Sequence, residues 1–289
     1  MDLVLKAEVA LDEALVLIDP LFAPHVPAPY LLLAEFVSGF FVARCLGWLI
    51  VKHLLGFDPR KYSAASAASS VVCFLHGIPV TACAGWLLLD AGDKIWELDA
   101  GIEGFSEHWQ KLATKTLTFS SAYMVYDFVF MIVNGCVYGT KEEPYLASFL
   151  LHHFGCAWFM YMVDDFGAGH LLLMLMIFMG EVTNPMQNVL NISKHGVANG
   201  IGWWGTVERI VEPPFAIFFA VVRLAMAPLT IAYICYVFVY KPVVGQGGGG
   251  VPLWAGCLWS VIIVAFVHGS LPFAKEKLMS LSKGREKKE

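Results

Sequence analysis

Two adjacent histidines, His152 and His153, stand in an apolar run from Tyr145 to Val163 that contains no Asp, Glu, Lys or Arg. Ionisable groups at membrane depth are costly and face a protein interior or a wet cavity, so such a pair reads by default as a functional site. A neutral imidazole beside a carboxylate can act as a general base. In a dry pocket it can also be a nucleophile that carries an acyl group. Asp127 is the carboxylate that completes this set, with His152 or His153 as the reacting group. Neighbours on a helix point about 100° apart, so one histidine is expected to attack while the other orients substrate. A metal centre needs three or more converging ligands. The interior offers this pair with His76 only as a distant third, so neither a metal nor a resident cofactor is expected.

The elements that must position these groups are membrane spans. The chain has 289 residues, of which 58% are hydrophobic and 15% charged, and its mean hydropathy is +0.65. Stretches long enough to cross about 30 Å of hydrocarbon fall near 30–51, 63–90, 112–138, 145–163, 168–191, 211–240 and 252–274. The expected fold is therefore an all-α polytopic membrane protein with about seven transmembrane helices. A soluble helical protein would need polar faces at helical spacing, and Leu171–Gly180 is apolar all round.

Polar residues align within these spans. Thr116, Ser120, Tyr123, Asp127 and Asn134 share one helical face, as do Ser66, Ser69, Cys73 and His76. Tyr145, Ser148, His152 and Cys156 form a third stripe, from which His153 is rotated. Glu181, Asn184 and Asn188 form a fourth, beside Pro185. Arg223 is the natural countercharge for Glu181 or Asp127. A polar stripe in lipid must face inward, so the picture is a ring of helices around a polar interior. Such stripes also serve plain helix packing, which is the simpler reading for Ser, Thr and Cys. A buried structural ion network is the alternative for the charged groups.

Lys and Arg outnumber each other unequally between the two sides. The side holding Lys52, Arg60, Lys61, Lys194, Arg209 and the C-terminal tail is the richer, and should be cytosolic. The acidic loop from Asp90 to Glu107 then faces the lumen. Residues 1–29 are expected to form an N-terminal segment, amphipathic in part and without a cleavable signal peptide. Residues 30–275 are the membrane domain and 276–289 a basic cytosolic tail. That tail ends in GREKKE, which approximates a dilysine retrieval signal or serves as a patch attracted to anionic lipid. The Asn191 sequon is expected to stay unglycosylated. The cysteines have neither CxxC spacing nor a luminal cluster, so no disulfide framework or zinc site is expected. Nothing suggests a nucleic-acid partner. A seven-helix receptor and a transporter are both weakly supported, since no Lys for retinal and no inverted repeat is visible.

Five segments carry a family resemblance: FLHGIPVT at 74–81, Tyr123 to Asp127, LLHHFG at 150–155, GEVTNPMQN at 180–188, and Arg223. In order and spacing they resemble the TLC family, over about residues 60–275. That family includes ceramide synthases, in which a helical ring encloses a long cavity and a His pair with nearby Asp residues supports acyl transfer. The resemblance implies a six-helix ring around a polar cavity, with His152 and His153 at the positions of that pair. Where synthases carry an Asp-rich pattern, this chain has Glu181-Val-Thr-Asn184-Pro185, which looks like the non-synthase branch of small TLC-domain proteins. The implied function is lipid handling or membrane lipid homeostasis in the endoplasmic reticulum, with membrane lipid as partner. His152, His153 and Asp127 are the candidate catalytic residues. His76, Tyr123, Glu181, Asn184, Asn188 and Arg223 are the candidate substrate-binding ones. An N-acyltransferase taking acyl-coenzyme A as co-substrate is the alternative, and an endoplasmic-reticulum cargo receptor a further one.

Overall fold

The computed structural model describes residues 30–139, 146–246 and 250–286, with positions 16, 23, 26 and 27 before them and side chains through Met279. The expected amphipathic N-terminal segment, Tyr145, and the lysines of the retrieval-like tail lie outside the described residues. The fold is all-α: α1 Leu31–Leu54, α2 Tyr62–Asp90, α3 Glu107–Tyr138, α4 Leu146–Phe166, α5 His170–Glu181, α6 Asn184–Ala198, α7 Trp204–Val243 and α8 Leu253–Glu286. Among the described residues the only sheet-like contact is an isolated bridge between Gly101 and Ala168.

Six of these helices are long and apolar enough to cross a membrane. The expected fifth span is instead two short helices, α5 and α6, because Pro185 has no N–H to give the Glu181 carbonyl. The chain pauses at Val182 and Thr183 and restarts with Pro185 at the head of α6. Packing follows the expected ring. α2 packs on α3, α3 on α4, α4 on α8, α8 on α7, α7 on α6, and α6 back on α2. α1 stands outside the ring against α2 and α3. Outward faces carry bare apolar side chains such as Leu151, Leu229 and Val261, which are 69%, 74% and 65% exposed. That is what a hydrocarbon solvent requires and water forbids.

Small residues set the close approaches, as is usual where lipid gives helices no hydrophobic drive to associate. Gly47 of α1 lies against α2 so closely that a Cβ would come 3.2 Å from the Ala68 carbonyl. Gly196 of α6 lies under Trp204, where a Cβ would stand 2.1 Å from the indole. Gly196→Ala should therefore cost about 1–3 kcal/mol, the usual range for overpacking, because the ring can turn aside only in part. An unchanged thermal midpoint for the purified variant would show that this contact does not hold α6 to α7.

The ends of the ring are tied by polar contacts. Asn199, after α6, donates through Nδ2 to Ser63 Oγ at 2.7 Å, joining α6 to the start of α2. At the opposite end Ile102 N donates to the Gly167 carbonyl at 2.9 Å, and Lys241 pairs with Asp99 at 3.4 Å.

Candidate functional site

The ring encloses a cavity of about 420 Å³, within the roughly 300–1,000 Å³ range usual for small-molecule sites. Its lining on α2, α3 and α4 runs from 62 to 73, 123 to 134 and 149 to 160. At 1.5 Å per residue this is a depth of about 16 Å. Because neighbouring spans run in opposite senses, Tyr62, Asn134, Phe149 and Asn191 mark one end of the cavity. Phe159, Met160, Leu173 and Ile263 mark the other. The first end holds most of the hydroxyl groups, with Met131 and Phe149 among them, the second is mostly apolar with Cys73 and Asn188 at its edge, and Asp127, His152 and His153 lie in a band between them.

Within that band His153 is fixed at both nitrogens. Nδ1 donates to the Phe149 carbonyl at 2.9 Å and Nε2 lies 3.2 Å from Asp127 Oδ2. A carbonyl only accepts, so Nδ1 carries a proton. The Nε2 to Oδ2 contact then needs a second proton, shared between ring and carboxylate. His152 is placed differently. Its ring packs 4.4 Å from Phe266, and its nitrogens meet only the Cys156 sulfur, at 3.7 and 3.9 Å. The two histidines, expected to differ in role, differ in placement: His153 meets the carboxylate, and His152 meets only a thiol sulfur and aromatic rings among the described residues.

Glu181, at the end of α5, accepts a hydrogen bond from Asn184 Nδ2 at 2.7 Å. Asn188 in turn donates to the Asn184 carbonyl at 2.9 Å. The helix break therefore aims three polar side chains at one place. Gly77 of α2 faces this break, where a Cβ would stand in ordinary contact with Glu181 Oε2 at 3.6 Å.

The structure corrects two of the expected placements. His76 is fully buried but does not line the cavity. Its ring stacks on the Tyr123 ring at 4.0 Å and its Nδ1 lies 3.7 Å from Glu181 Oε2, so it stands behind the wall. Arg223 does line the cavity, yet makes no ion pair with Glu181 or Asp127 among the described residues. It donates from Nη2 to the Gly180 carbonyl at 3.2 Å and lies over the Phe219 ring at 5.3 Å. Its position follows from a π turn at Val221–Met226, where Pro228 interrupts the regular ladder. Ser148 is exposed and off the cavity, and Thr116 and Ser120 are buried on the inward face of α3 without reaching it.

A family model for the TLC domain matches residues 61–271. The chain belongs to the TLC-domain family. The matched range begins just before α2 and ends within α8, so it takes in the ring, five spans with the short α5 and α6, and leaves α1 outside. Comparison with curated proteins and with solved structures gave no match.

Several wall residues of the TLC domain carried no weight in the sequence reading. Gln187 and Asn191 extend the Asn184–Asn188 stripe at helical spacing and could have been found by following it one more turn. Ile263, Phe266 and Val267 of α8 had no such signal, because an apolar cavity wall and a lipid-facing surface have the same composition.

Proposed function

We propose that this TLC-domain protein binds a lipid with a long apolar chain in its intramembrane cavity, as part of lipid handling in the endoplasmic reticulum. The single observation that supports this reading is the uneven polarity of the cavity: hydroxyls and amides predominate toward one end, and methionine, leucine, isoleucine and phenylalanine toward the other. An amphiphile satisfies both ends at once, whereas water would be poorly held at the apolar floor. The Glu181 to Pro185 segment is in keeping with the non-synthase branch.

One observation favours a second reading, N-acyl transfer. His152 is free where His153 is not. In that reaction His152 attacks the thioester of acyl-coenzyme A, forming an acyl-imidazole and releasing the thiol. An amine then displaces the imidazole to give the amide, and its proton goes to the departing His152 nitrogen, which restores the neutral imidazole.

Both readings are tested with purified protein. Lipid recovered from the wild type should fall at least tenfold in Ile177→Trp, which fills the apolar floor. Equal recovery from both would remove the binding reading. Labelled acyl-coenzyme A with a panel of amine acceptors addresses the second: transfer present in the wild type and lost in His152→Ala would establish it, and its absence from the wild type would exclude it for those acceptors.

A further inference from the structure

The geometry points to an uncharged, hydroxyl-bearing head group on the lipid that this cavity takes. This rests on the cavity being a lipid site, and adds which class of lipid it is.

The polar end is lined by Ser66, Ser69, Ser70, Asn134 and Asn191, beside Tyr62 and Phe149. All are neutral, and together they offer both donors and acceptors. Ser66, Ser69 and Asn191 make no side-chain hydrogen bond among the described residues, so their capacity is unspent. The lining has no Lys, and its one Arg, Arg223, lies deeper beside Gly180. A phosphate-bearing head group would have to give up water without meeting a cation at this level, which is costly for an ion. A cationic head group fares no better. Asp127 is already paired with His153, and Glu181 stands deeper, opposite Gly77 on α2 and bonded to Asn184, so no unpaired carboxylate stands at this level for an ammonium. A glycerol or similar polyol head exchanges its water hydrogen bonds for amide and hydroxyl ones with no charge to desolvate. Sites built to hydrogen-bond a hydroxyl reject analogues that lack it, because their own buried polar groups are left unpaired.

The test uses the whole protein in nanodiscs and three lipids that share one oleoyl-derived chain: 1-oleoyl-glycerol, 1-oleoyl-lysophosphatidate and oleylamine. Retention after washing is read by mass spectrometry for the wild type and for Asn191→Lys, which places a cation at the polar end. The expected result is at least a tenfold preference of the wild type for the glycerol lipid, with Asn191→Lys shifted toward the lysophosphatidate. If the wild type holds a charged lipid as well as or better than the neutral one, the head-group assignment is overturned while the cavity remains a lipid site. Retention of none of the three by the wild type overturns the assignment together with the lipid-binding reading beneath it.

Discussion

Asp127→Ala is expected to be among the most destabilising substitutions in the chain and to disable the cavity together with the fold. The carboxylate and the His153 ring are 15% and 10% exposed and lie 3.2 Å apart. Removing one member of a buried ion pair costs about 3–5 kcal/mol in soluble proteins, because the other is left uncompensated. Hydrogen bonds between membrane helices average less, about 1–2 kcal/mol or below, since the unfolded state in lipid finds other partners. The loss should fall between these limits. Two further variants separate pairing from packing. Asp127→Asn keeps a hydrogen-bonding group facing Nε2 and should recover most of the stability, though not a proton-accepting function. The double replacement Asp127→Leu with His153→Phe removes both polar partners and should be more stable than Asp127→Ala alone. Thermal midpoints in one detergent would decide the matter, and a wild-type midpoint for Asp127→Ala would mean that the pair does not form.

That pairing shows where the sequence was legible and where it was not. The stripe containing Tyr123, Asp127 and Asn134 was readable because helical spacing and the cost of polar groups in lipid leave only one face for them. The α5–α6 break was visible in Pro185 and in the polar residues around it, although its consequence, two short helices in place of a span, was not. Which histidine would meet Asp127 could not be read. The helical wheel gives the angle between neighbours but not the rotation of α4 about its own axis, and that rotation depends on packing against α3 and α8. Where the cavity ends along α2 could not be read either, and this placed His76 among the site residues. It shares a face with Ser66, Ser69 and Cys73, but the cavity ends at Cys73 and the Tyr123 ring closes it there.

Arg223 illustrates a different limit. Charge complementarity suggested an ion pair with Glu181, and the two are indeed neighbours across the cavity wall. The π turn that carries Arg223 directs its guanidinium to the Gly180 carbonyl and over Phe219 instead. There the guanidinium has one carbonyl dipole and one aromatic face as partners, while its Nε is buried without a hydrogen bond among the described residues. This leaves Glu181 to Asn184, and makes the helix break, not the cation, the feature that orients the carboxylate.

The second large effect is expected where two backbones touch. Gly256 of α8 faces the π turn Tyr236–Tyr240 of α7, and a Cβ added there would stand 2.4 Å from the Phe238 carbonyl oxygen and 3.0 Å from its Cβ. No rotamer change can relieve this, because the obstacle is main chain. Gly256→Ala must therefore move α8 away from α7 by about an ångström, against a seam where Phe238, Ala255 and Trp259 are all fully buried. Overpacking usually costs about 1–3 kcal/mol, and a clash with backbone belongs at or beyond the upper end of that range. The displacement reaches the site, since the same helix carries Ile263, Phe266 and Val267, and the Phe266 ring packs on His152. The expected result is a lower thermal midpoint and lipid retention reduced at least severalfold, with Ala255→Gly on the adjacent position as a control that creates space without intrusion. Should Gly256→Ala lower the midpoint yet leave retention intact, α8 would be a brace for the ring and not a working wall of the cavity.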